Sequence, residues 1–220
     1  LIIRYGSMAL HPEAEIAIDD IVNDAVVADR EQSPVSLNLT NVNISPDIKT
    51  KISENFQEIL GLLKFNDTAF DIFRKWYVDG RLYYHIIIDS ENPKKGILEL
   101  RPIDSLKIRK VRQILPPKDP NQSSLMPRVE EYFAFNEGGM DGKQGGQVMR
   151  IASDSIAYCH SGLLNEDKKM VLSYLHKAIK PLNQLRMIED SVVIYRISRA
   201  PERRIFYIDV GNLPKQKAEQ

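Results

Sequence analysis

Few residues in this chain stand at spacings that do chemistry. Cys159-His160-Ser161 sets a thiol beside an imidazole, but adjacent residues on a strand point to opposite faces, so the two cannot act as nucleophile and base. His11, His85, His160 and His176 are scattered, and metal-ligand spacings such as HExxH or CxxC are absent. Asp19, Asp20 and Asp24 could hold a divalent ion, as in a metal-dependent nuclease. Asp20 and Asp24 share a helix face, but so do the acids of any solvated helix. The run GGMDGKQGG has no Lys-Ser or Lys-Thr pair and no GxGxxG, and it sits between strands, so it reads as a loop and not a phosphate cradle. Phe70, Phe73, Trp76, Tyr77, Tyr83 and Tyr84 could stack nucleic-acid bases, yet their helical then strand-like spacing assigns them to core packing. The most informative polar group is Arg196, Arg199, Arg203 and Arg204, set against Glu202 alone. It reads as solvated surface, or as a contact for a carboxylate-bearing partner or for DNA phosphate. No catalytic, cofactor or metal site emerges from the residue pattern, which points to a structural or binding module.

The element that positions those arginines is the stretch from Asp167 to Ala200. Leu172, Leu175, Ile179, Leu182, Leu185, Ile188, Val192 and Tyr195 recur every three or four residues, which predicts one long helix. Its length would be roughly 50 Å. Pro181 falls inside it and predicts a bend, because proline removes a donor and crowds the carbonyl of Lys177. Such a helix, with a basic exit stopped by Pro201, fits a strut joining two bodies.

The rest of the chain predicts α+β architecture, with helices interleaved with short, mostly antiparallel strands. Pro12 opens a helix whose apolar face is Ile18, Ile21, Val22, Ala25 and Val26. Val35, Leu37 and Leu39 alternate with polar residues as a half-buried strand does. Ser45-Pro46-Asp47 starts a helix carrying Ile48, Ile52, Phe56, Ile59, Leu60 and Leu63, the cleanest amphipathic pattern present. Asn66 or Asp67 is expected to cap the next helix, which ends at Asp79-Gly80. Strands are expected at RLYYHIIID, at ILEL (broken by Pro102), at KIRKVRQI, VEEYFAF, VMRI, IAYCHSG and RRIFYIDV. Leu115 to Pro127 holds four prolines and reads as a surface loop.

Composition excludes several classes. The formal net charge of +0 over 220 residues leaves no global field to recruit nucleic acid or an anionic membrane. Charge is sorted along the chain, with Glu13, Glu15, Asp19, Asp20, Asp24, Asp29 and Glu31 against only Arg4 and Arg30 before residue 34. A single cysteine, Cys159, allows no internal disulfide. No apolar run is long enough for a membrane span. The start at Leu1 and the ending PKQKAEQ suggest an internal fragment of a longer protein.

Taken together and in order, EIAIDDIVNDAVV, FRKWYVDGRLYYHIIID, GILELRPID, IAYCHSGL and SYLHKAIKPLNQLRMIEDSVVIYRISRAPERRIFYIDVGNLPKQKAEQ resemble the portal proteins of T-even-like, contractile-tailed bacteriophages. The resemblance covers nearly the whole chain and is weakest from Leu115 to Gln147. It implies a homododecameric ring at one capsid vertex of the virion, without enzymatic activity or cofactor, through which double-stranded DNA passes without sequence specificity in packaging and ejection. Implied partners are other copies of the chain, the large terminase subunit, the major capsid and scaffold proteins, and the neck and tail proteins. Assembly is expected in the host cytoplasm, with the inner membrane as one candidate surface. It also implies a wing over residues 1–165, a stem helix over 166–200 and the start of a clip over 201–220. Contacts between neighbouring subunits are expected of Asp20 and Asp24 with Arg196, Arg199, Arg203 and Arg204. A monomeric connector adaptor and a nuclease using Asp19, Asp20 and Asp24 are the competing readings.

Overall fold

The computed structural model describes residues 1–26, 34–115, 128–140 and 148–199, together with positions 207, 209, 211, 214 and 217. The chain divides into two compact units, Leu1–Ile179 and Lys180–Gln220. The expected loop at 116–127, most of GGMDGKQGG, Arg203, Arg204 and nearly all of RRIFYIDV lie outside the described residues.

The first unit is α+β, as the sequence predicts. Its helical part contains α1 (Ile2–Ala9), α2 (Pro12–Ala25), α3 (Pro46–Leu63) and α4 (Phe65–Asp79). Pro12 opens α2 at its first turn, where a missing N–H costs nothing. One face of α2 is buried through Ala14, Ile18 and Val22. Ile18 and Val22 meet Tyr5 and Ala9 of α1, Val78 of α4, and Leu175, with Phe70, Phe73, Tyr77 and Ile179 packed around them. The residues of α1 carry no capping signal and the sequence pattern missed this helix, yet Tyr5 is fully buried at the centre of the cluster.

The β part consists of two three-stranded antiparallel sheets. One has the order β2-β1-β6 and the other β3-β4-β5, where β1 is Arg81–Ile88, β2 Ile97–Ile103, β3 Ile108–Leu115, β4 Arg128–Phe135, β5 Met149–Ala152 and β6 Ile156–His160. A second core joins the sheets: Tyr83, Ile108, Phe133 and Ile156 are buried there, with Tyr158 stacked on Tyr83 at 4.9 Å. VMRI and IAYCHSG do form strands, but not with each other. A 3-10 turn at Ser153–Ser155 sends β5 and β6 to different sheets.

Four local expectations are corrected. The alternating run after Val35 is not a strand. Asn38 Oδ1 accepts from both the N–H and the hydroxyl of Thr40, and this local turn replaces a ladder. Neither Asn66 nor Asp67 caps α4, because Lys64 in the left-handed region (φ 50°) ends α3 and starts α4 as a one-residue corner. Pro102 does not break β2, since it pairs with Tyr84 on an edge strand, where proline needs no second partner. The fourth correction concerns the long helix. Residues 167–173 are not helical. Asn165 Oδ1 accepts from the N–H groups of Lys169 and Met170, and Leu164 pairs with Val171 in an antiparallel bridge. A 3-10 turn follows at Tyr174–Ala178, and only then α5, Ile179–Arg199. At 21 residues, α5 is about 32 Å long, not 50 Å.

Candidate functional site

Two features stand out once the elements are in place: the way residues 171–176 are fastened, and the bareness of the helix that follows them.

Gly80 ends α4 at φ 73°, a conformation natural to glycine. Its missing side chain is also used. A Cβ there would meet the Leu172 carbonyl oxygen at 2.7 Å and the Ser173 Cα at 2.9 Å. The segment lies against Gly80 and is held on both sides. Ser173, fully buried, donates through Oγ to the Tyr77 carbonyl at 3.0 Å and accepts from the Leu175 N–H at 3.0 Å, which caps the 3-10 turn. Ser161 N–H donates to the Gly80 carbonyl at 2.9 Å, while its hydroxyl donates to the Leu172 carbonyl. The Arg81 guanidinium donates to the Val171 carbonyl. The Tyr5 hydroxyl and His176 Nδ1 share a hydrogen bond of 2.9 Å. Burial raises the Tyr5 phenol above its ordinary pKa, partly offset by a hydrogen bond from the Ser173 backbone. Tyr174 stacks on Tyr77 at 5.2 Å and 5°. Nearby, burial raises the Asp79 carboxyl, partly offset by the Ser105 hydroxyl bound to it at 2.9 Å.

α5 is the opposite case. None of its side chains is buried, and every residue from Arg186 to Arg199 is exposed. Seven of those exposed residues are large and apolar: Met187, Ile188, Val192, Val193, Ile194, Tyr195 and Ile197. Met187, Ile188, Val192 and Tyr195 border a shallow groove at Ser191. At 100° per residue Val193, Ile194 and Ile197 carry apolar surface around the rest of the helix, with Ile194 close to the face of Met187.

The residues singled out by sequence are dispersed. Pro181 is the third residue of α5, in its first turn and directly after the 3-10 segment, not in mid-helix. Arg196 is exposed. Arg199 is engaged within its own helix, with Nη1 2.7 Å from the Tyr195 hydroxyl and the guanidinium 4.5 Å above the ring. Asp20 and Asp24 are exposed on the outer face of α2, whereas Asp19 accepts from Arg74 Nε at 3.2 Å. Cys159 and His160 are consecutive exposed residues of β6, pairing with Leu82 and Arg81. The sequence reading missed Tyr5, Ser161 and Ser173. The available signal was Ser173 two residues before Leu175, a turn-capping position hidden inside an apparently helical period.

Among the described helices α5 thus combines an apolar surface with exposure along its whole second half. The whole chain, residues 1–220, matches the family described as Bacteriophage T4-like portal protein (Gp20). It is 41% identical over 235 residues to the portal protein of Vibrio phage KVP40, covering 100% of this chain and 44% of that protein. It is 39% identical over 230 residues to the portal protein of Salmonella phage ViI, covering 99% of this chain and 41% of that one. The chain belongs to the T4-like portal protein family and spans less than half the length of these curated relatives.

Proposed function

We propose that this chain is part of a subunit of a closed ring, about twelve copies around, at the portal vertex of a phage capsid. Double-stranded DNA would pass through the ring without sequence-specific contacts. The first unit corresponds to the wing, α5 to the stem helix, and the residues after 200 to the start of a clip. The ring would dock the large terminase subunit during packaging and the neck and tail proteins afterwards, and capsid and scaffold proteins would assemble around it in the host cytoplasm. The chain itself would catalyse nothing, and energy for packaging would come from the terminase. A conduit must let DNA slide, which accords with the formal net charge of +0.

The observation that carries this reading, beside family membership, is α5. Exposed apolar residues spread around a helix are costly in water. They suit a helix flanked by two copies of itself, because neighbours in a ring of about twelve lie about 150° apart as seen from each subunit. The groove bordered by Met187, Ile188, Ser191, Val192 and Tyr195 would be one side of such a contact. Arg196 and Arg199, with Arg203 and Arg204, would meet acids such as Asp20 and Asp24 of neighbouring copies.

The test is the particle mass and symmetry of the full-length protein, by native mass spectrometry with negative-stain imaging. A closed ring of about twelve with a central hole is expected. A species that stays monomeric or dimeric at high concentration, with scaffold present, would overturn the reading and return the monomeric adaptor.

A further inference from the structure

Arg199 already has a task inside its own helix. It follows Tyr195 by four residues, one turn on, so the two side chains share a face of α5. Its Nη1 donates to the Tyr195 hydroxyl at 2.7 Å, and the guanidinium carbon stands 4.5 Å from the centre of the ring. A charge-assisted hydrogen bond and a cation–π contact thus act on one phenol. That phenol is a wall of the groove completed by Met187, Ile188, Ser191 and Val192, all of them residues of α5. The other hydroxyl of the groove is engaged as well, since Ser191 Oγ donates to the Met187 carbonyl at 2.6 Å. With both hydroxyls held within the helix, the groove fits apolar side chains and not a phosphate. An exposed tyrosine is otherwise free to turn, and packing it against a partner costs the entropy of fixing it. Tyr195 is 55% exposed, yet Arg199 holds it at its hydroxyl and at its ring, so less of that cost falls at the moment of contact.

We propose that Arg199 is a positioning residue for the contact between copies: it fixes Tyr195 as the wall of a groove that receives apolar side chains from α5 of the next copy. The inference rests on the ring reading above and adds to it a residue that shapes the contact surface. A guanidinium carries five N–H donors, so this role leaves donors for acids of neighbouring copies.

The experiment assembles the full-length protein and three variants, Tyr195→Phe, Arg199→Lys and the double, over a series of subunit concentrations read by native mass spectrometry. Tyr195→Phe keeps the ring and every charge and removes only the hydroxyl. Arg199→Lys keeps the charge and removes the planar fork. Both positions are exposed, so the subunits are expected to fold as wild type does, which circular dichroism checks. Each single variant is expected to raise the concentration at half assembly about tenfold, the order of one hydrogen bond lost per contact. The double is expected to raise it no further, because two residues that act as a pair are not additive. Either single variant assembling as wild type does, or a double whose shift is the product of the two single shifts, would overturn the inference and leave the ring reading standing. A wild-type protein that forms no ring would overturn the ring reading itself, and this inference with it.

Discussion

α4 and α5 are helices of 15 and 21 residues in the same chain, both rich in apolar side chains, and they behave in opposite ways. α4 turns Ala69 and Val78 inward and packs Phe70, Phe73 and Tyr77 against a core contributed by α1 and α2. α5 has no fully buried side chain, and from Arg186 to Arg199 it displays apolar residues around the helix. A single stripe can be covered within one chain, as in α4; apolar surface spread around an exposed helix cannot be covered by one neighbour. On the proposed ring reading, stability of the subunit and contact between copies belong to different stretches of sequence.

Paired substitutions break that comparison most sharply. Val22 is fully buried, so Val22→Asp is expected to cost more than about 3 kcal/mol and to unfold the subunit in a urea titration. Val193→Asp places the same charge on exposed α5 and should change subunit stability by less than about 0.5 kcal/mol while abolishing assembly. Equal losses of stability would erase the distinction between the regions.

A smaller effect sharpens the picture of the second core. Burial pushes the Tyr83 phenol up to about 12 from 10.0. The folded state therefore favours the neutral phenol. The stabilisation is complete below pH 10 and is lost as pH rises through 12, an expected loss on the order of 2 kcal/mol. Thermal melts over that range should show the decline, and Tyr83→Phe should flatten it. An equally steep decline in Tyr83→Phe would assign alkaline unfolding to other groups.

The smallest effect is expected at Ser45. It precedes Pro46 as a helix cap should, yet its side chain makes no capping hydrogen bond. Ser45→Ala should cost only a few tenths of a kcal/mol instead of the usual ~1 kcal/mol. A full loss on denaturation would mean that the cap forms after all.

Much of the fold was legible because local signals and tertiary context agree. Pro12 and Pro46 open helices, Gly80 ends one, and the aromatic and β-branched run from Arg81 becomes the strand shared by β2 and β6. The misreadings share one cause. Leu172 and Leu175 keep helical spacing, but Asn165 and Ser173 bond the backbone locally and stop the helix from reaching back to residue 167. Val35, Leu37 and Leu39 keep strand spacing with no partner strand among the described residues. The stripe of α3 is present as read, yet no residue of that helix is buried, so periodicity revealed the pattern and not what covers it. For the candidate site, the arginines were visible as composition. The fastening of residues 171–176 was not, because its parts come from residues 5, 77, 80, 81, 161 and 173 and become neighbours only on folding.

The most direct test of the account is hydroxyl-radical footprinting of α5 in the full-length protein, comparing dissociated subunits with the assembled particle. Met187, Tyr195 and Ile197 are exposed by 69%, 55% and 71% in the single chain. They should be labelled strongly in subunits and become protected by about tenfold on assembly, while Leu10 on the first unit, exposed by 73%, keeps more of its reactivity. Labelling of α5 that is equally strong in subunit and particle would contradict the claim that copies of this helix cover one another.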